Sequence, residues 1–336
     1  MSHKYTRLAV TAAVVTSLAL AGCGRPTSEG GGGGGGDFPG DKPIELIVAF
    51  APGGAVDTAA RLVAPELEKD LGTNVEVVNR PGAGGQIGYT ELTSANPDGY
   101  TIGATGSPSV VVSPLDPARG AQYTRASFQP LGMQVVDPAV VEVAPDSPYT
   151  DLKALIDAAN AAPGTITATT IGIQTGEHFA LAQIKQVTGA DLAPVHFSEG
   201  QSQAVAAFLG NHVPVYVGSA SDVIDLVKQN KIRVLGVMDS QRSKFLPDVP
   251  TFQESGYDVV STTARGYSAP AGLPEPVAEK LQSALKSAIE NEEVQTKMTD
   301  LGLETRYLDS QQYEQLWTEQ ETTYKDLMPA VTQEGN

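Results

Sequence analysis

Strand-length apolar runs alternate with stretches of helical periodicity along most of this chain, and this alternation constrains the fold more than any other feature. Residues 44–50 read IELIVAF, a nearly continuous apolar run that is typical of a strand in a buried parallel sheet. A Pro-Gly-Gly turn ends the run. From Asp57, apolar residues return at helical spacing until Leu71, and Gly72 closes the pattern. The first unit is therefore predicted to be a strand, a glycine turn and a helix.

The same order of elements recurs further along the chain. The patterns predict more strands over residues 75–79, 100–105, 165–171, 192–197, 213–217 and 232–237, and more helices over residues 87–95, 152–159, 177–187, 201–209 and 221–229. Thr150 is placed to cap the helix that follows it. Strands and helices in alternation predict an α/β fold in which helices cover mainly parallel sheets.

Length and element order predict two domains. A chain of 336 residues is far longer than one typical domain core. The last third contains two helical stripes, over residues 277–289 and 313–327, which we expect to pack back on the first domain. Domain 1 is thus predicted to be discontinuous, residues 41–143 plus 262–336. Domain 2, residues 144–261, is inserted into it, and the two chain crossings form a hinge.

The first 40 residues differ from the rest in composition. Two basic residues precede an apolar run over residues 8–20, which is too short to span a bilayer and matches the central region of a signal peptide. The sequence LAGC, which ends at Cys23, resembles the lipobox of bacterial lipoproteins. We therefore expect a signal peptide over residues 1–22, lipid attachment at Cys23, and a flexible glycine-rich tether over residues 23–40.

Composition and motif spacing exclude several classes of function. A formal net charge of −17 argues against nucleic acid as a partner, because nucleic acid requires clustered cations along a groove. One cysteine allows no internal disulfide, and His178, His196 and His212 lack the spacing of a metal site or a nucleophilic triad. The glycine cluster at residues 80–88 does not match a dinucleotide fingerprint. The sequence predicts no catalytic residue, no metal and no cofactor.

The loop FAPGGAVD, residues 50–57, joins the first predicted strand to the first predicted helix. Loops at the carboxyl ends of parallel strands lead into helix N-termini, which present free amide hydrogens to an anion. Gly53 and Gly54 let backbone amides approach a ligand with no side chain in the way. The loop is either a carboxylate cradle or an ordinary tight turn in which Asp57 stabilises the first helical turn.

Six blocks of sequence carry a family resemblance. In this order and spacing they read PGGAVDTAARLVAPELEKDLG, VEVVNRPGAGGQIGYTEL, NPDGYTIGATG, KIRVLGV, LPDVPTFQESGYDV and APAGLPEPVAEKL. They resemble the Bug-type (TctC-like) substrate-binding proteins of tripartite tricarboxylate transporters, and the match spans residues 44–303. The resemblance implies a two-domain type II periplasmic-binding-protein (Venus-flytrap) fold, which closes on a small organic carboxylate and delivers it to a membrane permease.

The resemblance also implies which residues hold the carboxylate, largely through backbone amides. In the first domain these are Phe50, Ala51, Pro52, Gly53, Gly54, Ala55 and Asp57, supported by Ser107 and Ser109. In the second domain they are Thr175, Gly176, His178, Ser198, Gly200 and Ser219. Asp57 is expected to order the first loop.

Three positions depart from the family pattern and bear on specificity. Gln174 stands where the family often has a glycine. Glu199 would repel a dianion unless it points outward, or would receive an ammonium group of the ligand. Arg265 is placed either to pair bidentately with a second carboxylate of the ligand or to face solvent at the hinge.

These observations predict a lipid-anchored extracytoplasmic receptor, acting as a monomer, that captures a small carboxylate by hinge closure and performs no chemistry. Two alternatives stay open at this point. One is a sensor that binds the same ligand and docks to a signalling receptor. The other is a secreted lipoprotein hydrolase that uses Asp57 or His178 as its base, although the sequence shows no nucleophile to go with either.

Overall fold

The computed structural model describes residues 38–197 and 199–333. The predicted signal peptide, Cys23 and the tether up to residue 37 lie outside the described residues. Within the described ranges, none of the helices combines the length and the apolar character that crossing a membrane requires.

Helices and strands alternate along the described chain as expected for an α/β fold. The strands are β1 Ile44–Val48, β2 Val75–Asn79, β3 Thr101–Ser107, β4 Phe128–Val143, β5 Ile166–Thr170, β6 Leu192–His196, β7 Val215–Ser219, β8 Arg233–Val237, β9 Thr262–Pro270 and β10 Glu304–Leu308. The helices are α1 Ala55–Leu71, α2 Gln86–Ser94, α3 Ser109–Val112, α4 Leu152–Ala161, α5 Gly176–Thr188, α6 Gln201–Leu209, α7 Ile224–Lys228, α8 Glu275–Glu290, α9 Glu292–Asp300 and α10 Ser310–Gln333. The α/β class is confirmed.

The sheet is mixed rather than mainly parallel. Its strand order is β2-β1-β3-β9-β4-β7-β5-β6, with β8 and β10 also paired to β4. The predicted parallel pairing holds for β1 with β2 and β3, and for β5 with β6 and β7. Every pairing of β4 and every pairing of β9 is antiparallel. The sequence patterns did not predict β4, β9 or β10, and their antiparallel pairings account for the difference.

Prolines conceal β4 in the sequence, because proline is uncommon in a central strand. Pro130 lies where the register between β4 and β9 shifts, so an irregularity in the pairing accommodates it. Pro138 pairs with Thr262 at the far end of β9, and the next residue, Ala139, begins the pairing with β7. Both prolines therefore occupy points where the regular ladder is already interrupted.

Apolar side chains form separate cores on the two parts of the sheet. Helices α1 and α8 cover β1 and β3, where Leu67, Ile102 and Leu281 are fully buried. Helices α4 and α5 cover β5 and β7 and contribute Leu155 and Ile184 to a second core. Tyr313 and Trp317 on α10, in the second predicted helical stripe, are fully buried in a third cluster.

Helix ends follow local capping chemistry. Helix α1 ends at Gly72, which adopts the left-handed conformation with φ 71° and donates its N–H to Glu68 O. The cap of α4 is Asp151 rather than the predicted Thr150, since the Asp151 carboxylate accepts a hydrogen bond from Ala154 N at 2.8 Å. Asp151 is the residue directly before the helix, which places its side chain in reach of the first-turn amides.

Backbone hydrogen bonds join β4 to the segments that return from β8 to β9. Ala139 N donates to Ser261 O at 2.8 Å, and Met238 N donates to Ala139 O at 2.8 Å. An ion pair between Arg306 and Asp239, with a nitrogen-to-oxygen distance of 2.8 Å, links the segment after β8 to β10. The predicted domain boundaries at 143/144 and 261/262 stay a prediction.

Close approach of β4 and β9 generates a first testable prediction. A Cβ on Gly266 would overlap the carbonyl oxygen of Gly132 and the Cα of Met133, which are backbone atoms that cannot rotate away. We expect Gly266→Ala to lower the free energy of unfolding by about 3 kcal/mol in urea denaturation. The matched control is Gly106→Ala on the neighbouring β3, where the nearest atom, Ala264 O, would be 3.6 Å from the new Cβ. Equal stability of the two variants would contradict the prediction.

Candidate functional site

The loops at the carboxyl ends of the parallel strands carry most of the predicted site residues. Strands β1, β2 and β3 are parallel to one another, as are β5, β6 and β7, so within each set these ends lie at one edge. The edge of the first set leads into α1 and α3, and that of the second set leads into α5 and α6.

The β1–α1 loop exposes its backbone at a helix N-terminus. Residues 51–55 are exposed, and Gly54 is the N-cap of α1 with no side-chain cap. The first amides of a helix have no partner within the helix, so this end of α1 presents N–H groups to solvent. Gly53 adopts φ 82°, a conformation that favours glycine. The loop thus has the backbone geometry that an anion requires.

Asp57 holds this loop from the inside. Its buried carboxylate accepts hydrogen bonds from Gly53 N at 2.8 Å, from Arg61 Nε at 3.0 Å and from Asn79 Nδ2 at 2.8 Å. Asn79 also donates to Phe50 O at 3.0 Å, so one cluster fixes both ends of the loop. Burial opposes ionisation, but the hydrogen bonds from Arg61, Gly53 and Asn79 outweigh it and lower the pKa of Asp57. Asp57 is therefore an ordering residue, fully engaged, rather than a free base.

The β3–α3 turn contacts strand β9 through Ser107 and approaches the first loop through Tyr89. The hydroxyl of Ser107 accepts from Ala264 N at 3.3 Å, and that of Ser109 donates to Gly106 O at 2.8 Å, so both serines are bonded within the fold. Tyr89 lies between the two loops: its hydroxyl is 3.4 Å from Ser109 Oγ, and its ring centroid is 6.2 Å from that of Phe50.

The β5–α5 loop forms the facing wall. Thr175 is the N-cap of α5, and its hydroxyl donates to Gly172 O at 2.9 Å. His178 is buried, accepts a hydrogen bond at Nδ1 from Gln174 N at 3.2 Å, and packs edge-on against His196, with ring centroids 4.9 Å apart.

A narrow cleft brings part of the predicted set together. Its lining comprises Pro108, Ala139, Gly176, Glu177, Gly218, Ser219, Ser261, Thr262, Thr263 and Tyr324. Gly176 and Ser219 are predicted site residues, and Pro108 lies between the predicted Ser107 and Ser109. The cleft lies where β3, β4, β7 and β9 adjoin the start of α5.

The remaining predicted residues lie outside that lining. Ser198 lies outside the described residues. Gly200, with φ 98°, is the N-cap of α6. Arg265 does not face solvent: both of its terminal nitrogens are 3.3 Å from Asp137 Oδ2, and its side chain is mostly buried. Asp137 accepts further bonds from the backbone and hydroxyl of Ser221. The Arg265 guanidinium is therefore already paired with a carboxylate of the protein.

A wider groove of about 760 Å³ lies near the start of α10, lined in part by Arg125, Phe128, Ser310 and Glu314. It contains no predicted site residue. The N-terminus of α10 in this groove is already capped, because Asp309 accepts from Gln312 N at 2.9 Å. For an anion, the exposed and uncapped amides of the β1–α1 loop are therefore the better site.

The sequence motifs did not point to Asp222, an acidic residue that bonds to Ser219. Asp222 accepts from Ser219 N at 3.1 Å and also from the Gln201 side chain. Burial of its carboxyl, reinforced by the charge of Asp137, raises the pKa of Asp222 to about 7, although part of the residue is exposed. The spacing Ser219-x-x-Asp222 is a capping-box pattern, and that signal was available in the sequence.

Two further carboxyls are buried near this cluster. Burial raises the pKa of Glu142, which is fully buried on β4, well above its ordinary value, and Asp222 adds to the effect. Burial also raises the pKa of Glu177, which lines the cleft beside Gly176. A buried glutamate in a strand has no sequence signature, since it depends on what packs around it.

Gln174 links the facing wall to the segment after α3. Its side-chain oxygen accepts a hydrogen bond from Arg119 Nε at 2.9 Å, and its backbone adopts φ 58°. That conformation favours glycine, the residue the family resemblance places there. The chain therefore keeps a side chain at a strained position and gains a contact between two distant segments.

Comparison with known proteins gives a consistent family assignment. The family model described as the tripartite tricarboxylate transporter family receptor (TctC) matches residues 59–332. A UPF0065 protein in the tcbD-tcbE intergenic region of Pseudomonas sp. (strain P51) is 32% identical over 272 residues, covering 80% of this chain and 80% of that protein.

Solved structures agree with this assignment. A TctC solute-binding protein from Polaromonas, without ligand, superposes with a TM-score of 0.81 at 27% identity, covering 87% of this chain and 99% of that one. MatC from Rhodopseudomonas palustris with bound malate superposes with a TM-score of 0.66 at 26% identity, covering 86% and 99%. The resemblance inferred from the sequence blocks is confirmed.

Gln174 provides a paired stability test. Gln174→Ala and Gln174→Gly both lose the bond to Arg119, but only alanine keeps a Cβ at φ 58°. We expect the glycine variant to be more stable than the alanine variant by about 1 kcal/mol in urea denaturation. An alanine variant as stable as the glycine variant would mean that the backbone at this position is unstrained.

Proposed function

Since this chain belongs to the TctC family of tripartite tricarboxylate transporter receptors, which are periplasmic solute-binding proteins and not enzymes, we propose that it captures a small organic carboxylate and delivers it to a membrane permease. One observation carries the proposal. The β1–α1 loop is exposed and ends at a helix N-terminus that has no side-chain cap. The buried carboxylate of Asp57 holds the loop by accepting a hydrogen bond from Gly53 N. Such a loop offers several fixed N–H donors to one carboxylate.

The binding free energy required is modest. Hydrogen bonds to a charged group contribute about 1.5 to 3 kcal/mol each, so a few convergent amides offset the ordering costs and reach micromolar affinity, about −8 kcal/mol. Asp57 keeps the loop in one conformation before the ligand arrives, which reduces the entropy lost on binding. The bound malate of MatC is the kind of ligand that this loop would accept.

Capture involves closure of two lobes about a hinge. In this proposal the lobes are residues 41–143 plus 262–336 and residues 144–261. The backbone of Ala139, four residues before the first proposed crossing, is hydrogen-bonded to Met238 and to Ser261, the last residue before the second crossing. Ala139 and Ser261 also line the narrow cleft. Domain closure around a ligand by rotation at a few residues is a common device of binding proteins.

The hydrolase alternative is wrong for this family, and the geometry of its candidate bases agrees. Asp57 is saturated with hydrogen-bond donors, and His178 Nδ1 accepts from the Gln174 backbone. A sensor that binds the same ligand differs from a transport receptor only in its partner protein. Uptake of the ligand in a deletion strain separates the two.

A carboxylate panel tests ligand binding directly. We expect isothermal titration of ligand-stripped protein to give a dissociation constant of about 1 μM to 100 μM for at least one di- or monocarboxylate. Gly54→Val should weaken that affinity at least about tenfold, because its side chain covers the amides of the loop. The fold should tolerate it, since the nearest atom to a Cβ at Gly54 is Ala51 O at 3.6 Å.

A matched control is Ala95→Val at the end of α2, where the backbone has φ −72° and ψ 162°, close to the −75° and 169° of Gly54. This variant should bind as the parent protein does. If well-folded protein gave no heat of binding with any acid in the panel, that result would overturn the proposed function. Unchanged affinity in Gly54→Val would mean that the loop is not the cradle.

Membrane attachment is the second part of the proposal and rests on the sequence around Cys23. We expect the full-length protein expressed in a bacterium to fractionate with membranes, and Cys23→Ser to release it or leave its signal peptide uncleaved. Mass spectrometry of the mature N-terminus supplies the measurement. A membrane-bound Cys23→Ser protein with an unmodified, processed N-terminus would contradict lipid attachment at this residue.

A further inference from the structure

Arg119 and Gln174 form a hydrogen bond between two loops that are distant in sequence. Arg119 ends a short helical turn that follows β3 and α3, and Gln174 lies in the β5–α5 loop, two residues before α5 begins. The Nε atom of Arg119 donates to Gln174 Oε1 at 2.9 Å. In the proposed division of the chain, β3 and β5 belong to different lobes. The bond therefore joins the two proposed lobes through their loops.

The β5–α5 loop has a backbone conformation that its own sequence does not favour. Gly172 adopts φ 141° and Gln174 adopts φ 58°, and the left-handed region is unfavourable for a residue that carries a Cβ. Strained conformations of this kind persist only where surrounding contacts impose them, and they are frequent at ligand sites. Contacts with other residues must therefore hold this loop.

Side-chain hydrogen bonds hold the loop both from inside and from outside. Inside it, Thr175 Oγ1 donates to Gly172 O at 2.9 Å, and Gln174 N donates to His178 Nδ1 at 3.2 Å. These two bonds join residues of one segment, so they do not fix its position relative to the other lobe. The bond from Arg119 to the buried Gln174 side chain does fix it. Glycine, which the family resemblance places at this position, has no side chain to accept that bond.

Arg119 is held in place by its own short turn. The carboxylate of Asp116 caps the turn by accepting a hydrogen bond from Ala118 N at 2.9 Å, and its Oδ2 atom lies 3.9 Å from Arg119 Nε. Gly120, with φ 63°, ends the turn. The Arg119 side chain is 32% exposed. Its guanidinium is thus positioned independently of the loop to which it donates.

Apolar contacts place the start of α5 against the same lobe as Arg119. The ring centroids of Phe179 on α5 and Tyr324 on α10 are 4.7 Å apart. A Cβ on Gly176 would lie 3.8 Å from Pro108 Cγ, so the first residue of α5 approaches the β3–α3 turn. Apolar packing is non-directional, whereas a hydrogen bond constrains both distance and angle. The bond from Arg119 therefore adds the orientation that packing leaves open.

We propose that Arg119 is a positioning residue of the ligand site, which acts through Gln174 to hold the β5–α5 loop in the conformation that binds ligand. Arg119 makes no contact with the ligand. The loop carries Thr175 and Gly176, and a wall that is fixed before the ligand arrives lowers the ordering cost of binding. The inference rests on the proposed function and adds to it a residue outside the predicted site.

Binding kinetics of Arg119→Ala test the proposal, with L-malate, succinate and adipate as probes. We expect the variant to bind any probe that wild-type protein binds about tenfold more weakly in isothermal titration, because the binding-competent loop conformation is less populated. Stopped-flow measurements should assign the loss to the association rate constant. The dissociation rate constant should stay unchanged, since Arg119 does not touch the ligand.

A double-mutant cycle with Gln174→Gly shows whether Arg119 acts through Gln174. Glycine removes the hydrogen-bond acceptor and suits φ 58°, so this variant alone should show the same loss of association rate. Adding Arg119→Ala to it should change the affinity by less than about twofold. Arg119→Lys, which keeps a donor, should return the affinity to within about threefold of wild type.

The matched control is Arg242→Ala. The Nε atom of Arg242 donates to Glu254 Oε2 at 2.8 Å, and both residues lie in the proposed lobe of residues 144–261. Its side chain is 43% exposed, similar to that of Arg119. This variant should bind the probes with wild-type affinity and wild-type rate constants.

The outcomes separate this inference from the function on which it rests. Wild-type affinity in folded Arg119→Ala overturns the inference and leaves the receptor function intact. A loss that lies in a faster dissociation rate, or that is additive in the cycle, also overturns it. If urea denaturation shows Arg119→Ala to be unfolded, Gln174→Gly decides by the same criteria. Wild-type protein that binds no probe and no other acid overturns the receptor function and the inference together.

Discussion

Strand β4 imposes the constraint on which the rest of the structure depends. Nearly all of its sixteen residues are buried, so its backbone N–H and C=O groups must be satisfied by neighbouring strands on both edges. The first part of β4 pairs with β9 and β10, and the last part pairs with β7 and β8. Both parts of the sheet are therefore built on one continuous strand, and the narrow cleft lined by Pro108 and Gly176 includes Ala139, where β4 passes from one set of partners to the other.

Charge is distributed unequally around the cleft. On the β1–α1 side, the carboxylate of Asp57 is neutralised by Arg61 and by N–H donors, which leaves helix amides as the dominant field. On the Ser219 side, carboxyls outnumber cations, and burial raises the pKa of several of them. The exposed amides at the start of α1 therefore make the β1–α1 side the one that favours an anion.

The sequence predicted elements well where a pattern is local. Helix α1 and its glycine cap, the parallel strands β1, β2, β5 and β6, and the loop from Phe50 to Asp57 follow from periodicity and turn chemistry. The sequence patterns did not predict β4 and β9, because prolines and glycines interrupt the strand pattern there. These two strands are stabilised by pairing with each other. The patterns also missed the contact of Asn79 with Asp57 and the partnership of Arg265 with Asp137, because these contacts join residues distant in sequence. The contact of Arg61 with Asp57 is local, at the i, i+4 spacing of one helical turn.

By itself, the sequence determined the alternation of strands and helices, the glycine loop at the first helix N-terminus and the family, because each depends on neighbouring residues or on motif order. Tertiary structure alone decided that the sheet is mixed, that Asn79 joins Asp57 in holding the first loop, that Arg265 is already paired, and that Glu142 is buried within the electrostatic reach of Asp222. The reason is physical: the charge state and the partners of a polar side chain depend on which distant segments remove it from water.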